Sequence, residues 1–250
     1  MFDPATLVLI ALTFLLGGAV KGVIGLGLPT VSLALLTATI GLQPAMALLL
    51  VPSFATNVWQ AVAGGYTRAL TVRLWPFLLL ATASVSLGAM ALTRVNIALL
   101  SALLGSLLVL YSIVNLVHPH LAIPRSWEPW TGPLAGAANG ILTGMTGSFV
   151  VPGVIFLHAI GLPRDVLVQA MGMLFTVSTV GLALALGGQH LLSFELGAVS
   201  GAALLPAAVG MLAGQNIRKR LSEARFRRVF FVSLLVLGSY IVVRSLAKYV

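Results

Sequence analysis

The 250-residue chain has no cysteine and only five carboxylates. The lack of cysteine excludes disulfides, thiolate chemistry and thiolate-ligated metals. The acids, Asp3, Glu128, Asp165, Glu195 and Glu223, all fall at the ends of apolar runs or between them. Proton-coupled carriers relay through membrane-embedded Asp or Glu, and cation pores are ringed by carboxylates, so neither suits this interior. Charged residues make up only 8% of the chain, against about 25% in soluble domains. There is no G-x-x-x-x-G-K-[ST] phosphate loop and no polar segment long enough for a nucleotide-binding domain, so ATP-driven transport by this chain alone is not expected. The start, Met1-Phe2-Asp3-Pro4, lacks the basic region of a cleavable signal peptide. No metal and no cofactor are expected.

What is present is apolar. Hydrophobic residues account for 59% of the chain and mean hydropathy is +1.09. The runs are long enough to cross a bilayer, which takes about 20 residues per helix. The net charge of +9 has a topological explanation. Six of the 14 Lys/Arg residues lie between Arg218 and Arg228, which reads as a cytoplasmic loop and not as a nucleic-acid surface. The reading is an all-α polytopic membrane protein whose partners are the lipid bilayer and a small solute. Its oligomeric state is left open.

Two stretches share one design. Gly18-(x3)-Gly22-(x2)-Gly25, followed by Pro29, recurs 122 positions later as Gly140-(x3)-Gly144-(x2)-Gly147, followed by Pro152. Glycine weakens a helix and proline removes a backbone donor, so both runs are predicted to break. Gly41-Leu42-Gln43-Pro44 and Gly161-Leu162-Pro163 follow the two breaks in order. The chain therefore reads as two homologous repeats, 1–117 and 131–250, joined by a linker at 118–130. Each repeat is a Gly/Pro-broken helix or hairpin plus three transmembrane helices. If the broken runs turn back, the repeats are inverted. Arg68, Arg73, Arg125, Arg164 and the six-residue cluster then share one side, ten cations against three. A parallel arrangement gives eight against five, so the positive-inside bias favours inversion.

Paired interruptions at matching places in two halves point to a transporter's binding site. Lys21 lies about sixteen residues into the first apolar segment, where a cation is costly. It reads either as a ligand for a negative substrate or as a lysine snorkelling to the headgroups. Helices opening at Pro29 and Pro152 would present unpaired amides and a positive dipole end to an anion. Thr143, Thr146 and Ser148 add hydroxyls. The competing reading is that the glycines let helices pack closely and the hydroxyls satisfy neighbouring carbonyls. Asn57 and Gln169, on the helices that follow the breaks, complete the candidate set with Gly22, Gly25, Gly27, Gly144 and Gly147.

The segments Lys21–Pro29 (KGVIGLGLP) and Gly140–Pro152 (GILTGMTGSFVVP), with GLQP and GLPRD after them, resemble the TauE/SafE family of sulfite and organosulfonate exporters. The resemblance extends over essentially the whole chain. It implies passage of small sulfur-containing anions, such as sulfite or a sulfoacetate-like sulfonate, across a bacterial inner membrane. The residues carried over are Gly22, Gly25, Pro29, Gly144, Gly147 and Pro152. The first break departs from the family's run of consecutive glycines, since Leu26 and Leu28 interleave with Gly25 and Gly27. Related thiosulfate carriers use intramembrane cysteines, which this chain lacks.

The leading expectation is a secondary transporter, an exporter, working by alternating access around a midplane anion site. It is not expected to be an enzyme. An anion-selective channel is the alternative. A weaker one is an intramembrane serine hydrolase using Ser148 and His158. Lys21→Ala and Gly144→Leu are expected to abolish anion flux while leaving the fold intact.

Overall fold

A computed structural model describes residues 2–117, 122–218 and 222–249. Met1, residues 118–121 of the expected linker, and Lys219 and Arg220 of the basic cluster lie outside the described residues. Thirteen helices are described: α1 (Pro4–Ile24), α2 (Leu28–Ile40), α3 (Leu42–Leu48), α4 (Leu50–Val62), α5 (Thr67–Ala83), α6 (Val85–Ala89), α7 (Ala91–Arg94), α8 (Ile97–Val117), α9 (Glu128–Thr146), α10 (Gly153–Ala159), α11 (Arg164–Gly188), α12 (Phe194–Arg218) and α13 (Glu223–Tyr249). No strand occurs among the described residues. Six stretches are long and apolar enough to span a membrane: α1, the run Thr67–Arg94 formed by α5 to α7, α8, α11, α12 and most of α13. The pair α3–α4, bent by 45°, makes a seventh. The chain is a helical multi-pass membrane protein.

The helices fall into two compact units that cut across the sequence halves. The first contains α1–α3, the opening turn of α4, α8, α12 and α13. The second contains the rest of α4, α5–α7 and α9–α11. Each unit thus draws helices from both halves of the chain. Within the first unit α1 packs most extensively on α12, and α8 on α13; within the second, α9 packs on α5 and α6.

Glycine makes these pairings close. A Cβ on Gly18 or Gly22 would lie within van der Waals contact of the Ala207 and Met211 carbonyls. One on Gly210 or Gly214 would strike those of Leu15 and Ala19. In the second unit, Gly136 and Gly144 lie against the Phe77 and Val85 carbonyls, and Gly88 against that of Ile141. Small residues let helix backbones approach in lipid, where apolar side chains gain nothing by leaving the hydrocarbon.

The bend at α3–α4 has an identifiable cause. Pro52 has no N–H to give the carbonyl of Leu48, four residues earlier. Ser200 on α12 takes its place. Its hydroxyl donates to the Leu48 carbonyl at 2.7 Å and accepts the Val51 N–H at 3.1 Å. At the start of α1, Asp3 caps the helix by accepting from Thr6 N and Thr6 Oγ1, which hold its carboxyl below its ordinary pKa. In the second unit the Arg73 guanidinium donates to both Glu128 oxygens, at 2.9 and 2.6 Å, and to the Ile160 carbonyl at 3.4 Å. That fork ties α5 to the start of α9 and the end of α10.

Ser200→Ala is expected to lower stability by about 1–3 kcal/mol, because two buried backbone groups lose their partner where no water replaces it. Thermal unfolding in detergent measures it, and Ser200→Thr is expected to recover most of the loss.

Candidate functional site

The two breaks stop their helices in the same way. α1 does not end at Gly22, nor α9 at Gly144. Both helices run through the first two glycines of the motif and stop at the third. Gly25 adopts φ 80° and donates its N–H to the Lys21 carbonyl. Gly147 adopts φ 74° and donates to the Thr143 carbonyl. This left-handed cap is nearly free of cost only for glycine. The motif therefore divides into packing glycines (Gly18, Gly22, Gly140, Gly144) and stop glycines (Gly25, Gly147). The packing reading holds for the first set and the helix-breaking reading for the second. Gly144→Leu would force α9 away from α6, so it is a folding variant and not a probe of binding.

After each stop the chain turns back. Gly27, at φ 114°, precedes α2, and Pro29 occupies its second position. A Cβ on Gly17 would lie 2.8 Å from Ser32 Oγ and 3.2 Å from the Leu28 carbonyl, so α2 returns along the last turns of α1. The N-cap residue of α2, Gly27, has no side chain with which to cap it. Lys21, one turn before the stop, is 5% exposed. Such burial does not suit a side chain snorkelling to water.

The second turn is held more tightly. Thr143 Oγ1 donates to the Ser148 carbonyl at 2.9 Å, and Thr146 Oγ1 to the Leu142 carbonyl at 2.6 Å while accepting the Ser148 N–H at 3.2 Å. These threonine protons are spent on the backbone of the turn and are not available to an anion. Ser148 takes part through its backbone; its hydroxyl makes none of these bonds. The Val151–Pro152 peptide is cis, and Pro152 stands at the N-cap of α10. The first amide of α10 is not open either. Asn139 Oδ1, two turns back on α9, accepts the Gly153 N–H at 2.9 Å.

Asn139 was not among the sequence candidates. The signal for it was a carboxamide within an apolar run, next to Gly140. Its side chain is fully buried, and Nδ2 has no partner among the described residues. The carboxamide thus takes one donor from the helix end and offers two in its place. Ser178 Oγ on α11 and Ser53 Oγ on α4 are likewise buried without a partner among the described residues. A Cβ on Gly153 would lie 2.6 Å from Asn139 Oδ1 and 2.8 Å from Leu174 Cδ2, which places α11, one turn before Ser178, beside the same turn.

The remaining candidates divide. Asn57 is fully buried on α4 in the second unit. Gln169 serves the α4–α5 turn: Nε2 donates to the Ala61 carbonyl at 2.7 Å and to Thr67 Oγ1 at 2.9 Å, and Oε1 accepts the Tyr66 N–H at 2.9 Å. These bonds occupy its carboxamide within the α4–α5 turn. His158 is exposed near the far end of α10, while Ser148 is buried ahead of that helix.

The fold and the twin glycine-stopped turns define a polytopic helical membrane protein with irregular backbone held inside each of two helical units. Residues 9–241 match the sulfite exporter TauE/SafE family, and the chain belongs to that family of transporters. No curated protein and no solved structure matches it.

Gly147→Ala is expected to cost about 1–2 kcal/mol, the price of a left-handed alanine, and Gly25→Ala the same. Asn139→Ala is expected to destabilise the protein by about 1–3 kcal/mol by leaving the Gly153 amide unmet. Thermal unfolding of the purified variants checks both.

Proposed function

We propose that this protein carries small sulfur-containing oxyanions, such as sulfite or an organosulfonate, out across a bacterial inner membrane. Family membership supports the transport of such an anion. The observation that carries this reading is that each unit contains a glycine-stopped turn with buried polar groups beside it. In the first, Lys21 is buried one turn before the stop, and the helix α2 that follows has no side-chain N-cap. In the second, Asn139 Nδ2 and the hydroxyls of Ser148 and Ser178 are the candidate donors. Thr143, Thr146 and Gln169 support the backbone, and Gly22 and Gly144 set helix spacing. Irregular backbone at membrane depth persists where it is buried in protein or lines a polar cavity. The return of α2 and α10 along α1 and α9 supports an inverted relation between the sequence repeats. The scarcity of carboxylates supports a negative substrate.

Reconstituted into proteoliposomes, the wild type is expected to move sulfite or a sulfonate and to show counterflow, which marks alternating access and not an open pore. Lys21→Met and Asn139→Leu, accepted for assay only if they purify as folded protein, are each expected to lower the rate by about ten-fold or more, as loss of one charge-assisted or buried hydrogen bond implies. Wild-type rates in both folded variants would reject the site. A thermal-shift series with sulfite, sulfoacetate, taurine, thiosulfate and sulfate identifies the anion through linkage.

A further inference from the structure

The two ends of α13 carry separate groups of cations. Arg225, Arg227 and Arg228 stand at its start, and Arg244 and Lys248 near its end. Arg225 and Lys248 are 23 residues, about 35 Å, apart along the helix, more than the roughly 30 Å hydrocarbon core, so the two groups lie toward opposite faces of the membrane. The positive-inside rule accounts for the first group. It does not account for the second.

Arg244 and Lys248 line a cavity of about 270 Å³ in the first unit. Its walls come from the end of α2, the turn into α3, the start of α8 and the end of α13, and include Thr37, Gly41, Ser101 and Ser245. None of the five acids of the chain is among its lining residues. The Arg244 guanidinium donates through Nη1 to the Ala38 carbonyl and lies 5.9 Å from the centroid of the Tyr240 ring. It is therefore held in place at the cavity wall by one of its five N–H groups. The buried Thr37 hydroxyl has no partner among the described residues. Ser101 Oγ donates to the Ile97 carbonyl and so offers only its lone pairs. Ile40, Leu42, Ile97 and Ile241 supply an apolar wall.

We propose that this cavity binds an oxyanion at the membrane face opposite the basic loop, either the phosphodiester of an acidic phospholipid or a free oxyanion. A planar guanidinium fork beside a lysine ammonium matches the oxygens of such a group. The apolar wall suits a ligand that also touches hydrocarbon. The site is separate from Lys21 and Asn139, and stands whether or not those residues carry substrate.

The test uses the full-length protein in detergent, with two probes. Native mass spectrometry compares retention of phosphatidylglycerol and phosphatidylcholine; thermal shift measures stabilisation by sulfite, sulfate and phosphate. Saturable binding of the acidic lipid, or saturable stabilisation by a free oxyanion, is expected in the wild type. Binding should weaken by about ten-fold in Lys248→Gln, as loss of one charge-assisted contact implies, and also in Ser245→Leu, which fills the cavity. Neither substitution disturbs the Arg244 contact to α2, so both are expected to fold. A lipid response alone assigns the site to phospholipid, and an oxyanion response alone to a soluble anion. Binding unchanged in both variants, or no binding of either probe by the wild type, overturns the proposal.

Discussion

Every backbone amide and carbonyl that leaves a helix inside this protein must find a partner without water. That constraint governs the irregular parts of the structure. It explains why Ser200 stands opposite Pro52, taking up both the carbonyl that the proline cannot serve and a neighbouring amide. It explains why Thr143, Thr146 and Asn139 cluster around the turn between α9 and α10, where six successive residues lie outside any helix before α10 begins at Gly153. A serine, two threonines and an asparagine replace the hydrogen bonds that a straight helix would have made with itself.

The class of protein and the existence of both breaks were legible in the sequence. Long apolar runs and few charges indicate spanning helices, and clustered glycines followed by proline indicate an interruption, but which glycine stops the helix is decided by the fold. The first two glycines were ambiguous, because a spacing of four residues means a weak helix or a close helix–helix contact with equal fairness. Only the partner decides, and the partner of Gly18 and Gly22 lies on α12, nearly two hundred residues away. The same distance hid the roles of Gln169 and Ser200. Their functions are defined by carbonyls on other helices, which no local pattern announces.

Asn139 shows a different limit. It looked like one more polar residue beside a glycine, whereas Lys21 stood out by its charge. Yet Asn139 joins the capping of α10 to an unused buried donor, a combination visible only when the return of the chain is known. The Thr143 and Thr146 hydroxyls show the converse. Read along the chain they were candidate anion donors; in three dimensions their protons close the turn. Side chains that shape a turn and those that could serve a ligand share one vocabulary of residue types, so composition does not separate them.

The packing of α1 against α12 has a consequence for biogenesis. A ribosome delivers α1 first and α12 nearly last, so the glycine-lined flank of α1 enters the bilayer long before its mate exists. The same order holds, over a shorter interval, for α5 and α9. Insertion and assembly are therefore distinct stages for this polypeptide, and a chain halted after α8 would leave that flank of α1 facing lipid or whatever companion the insertion machinery lends it.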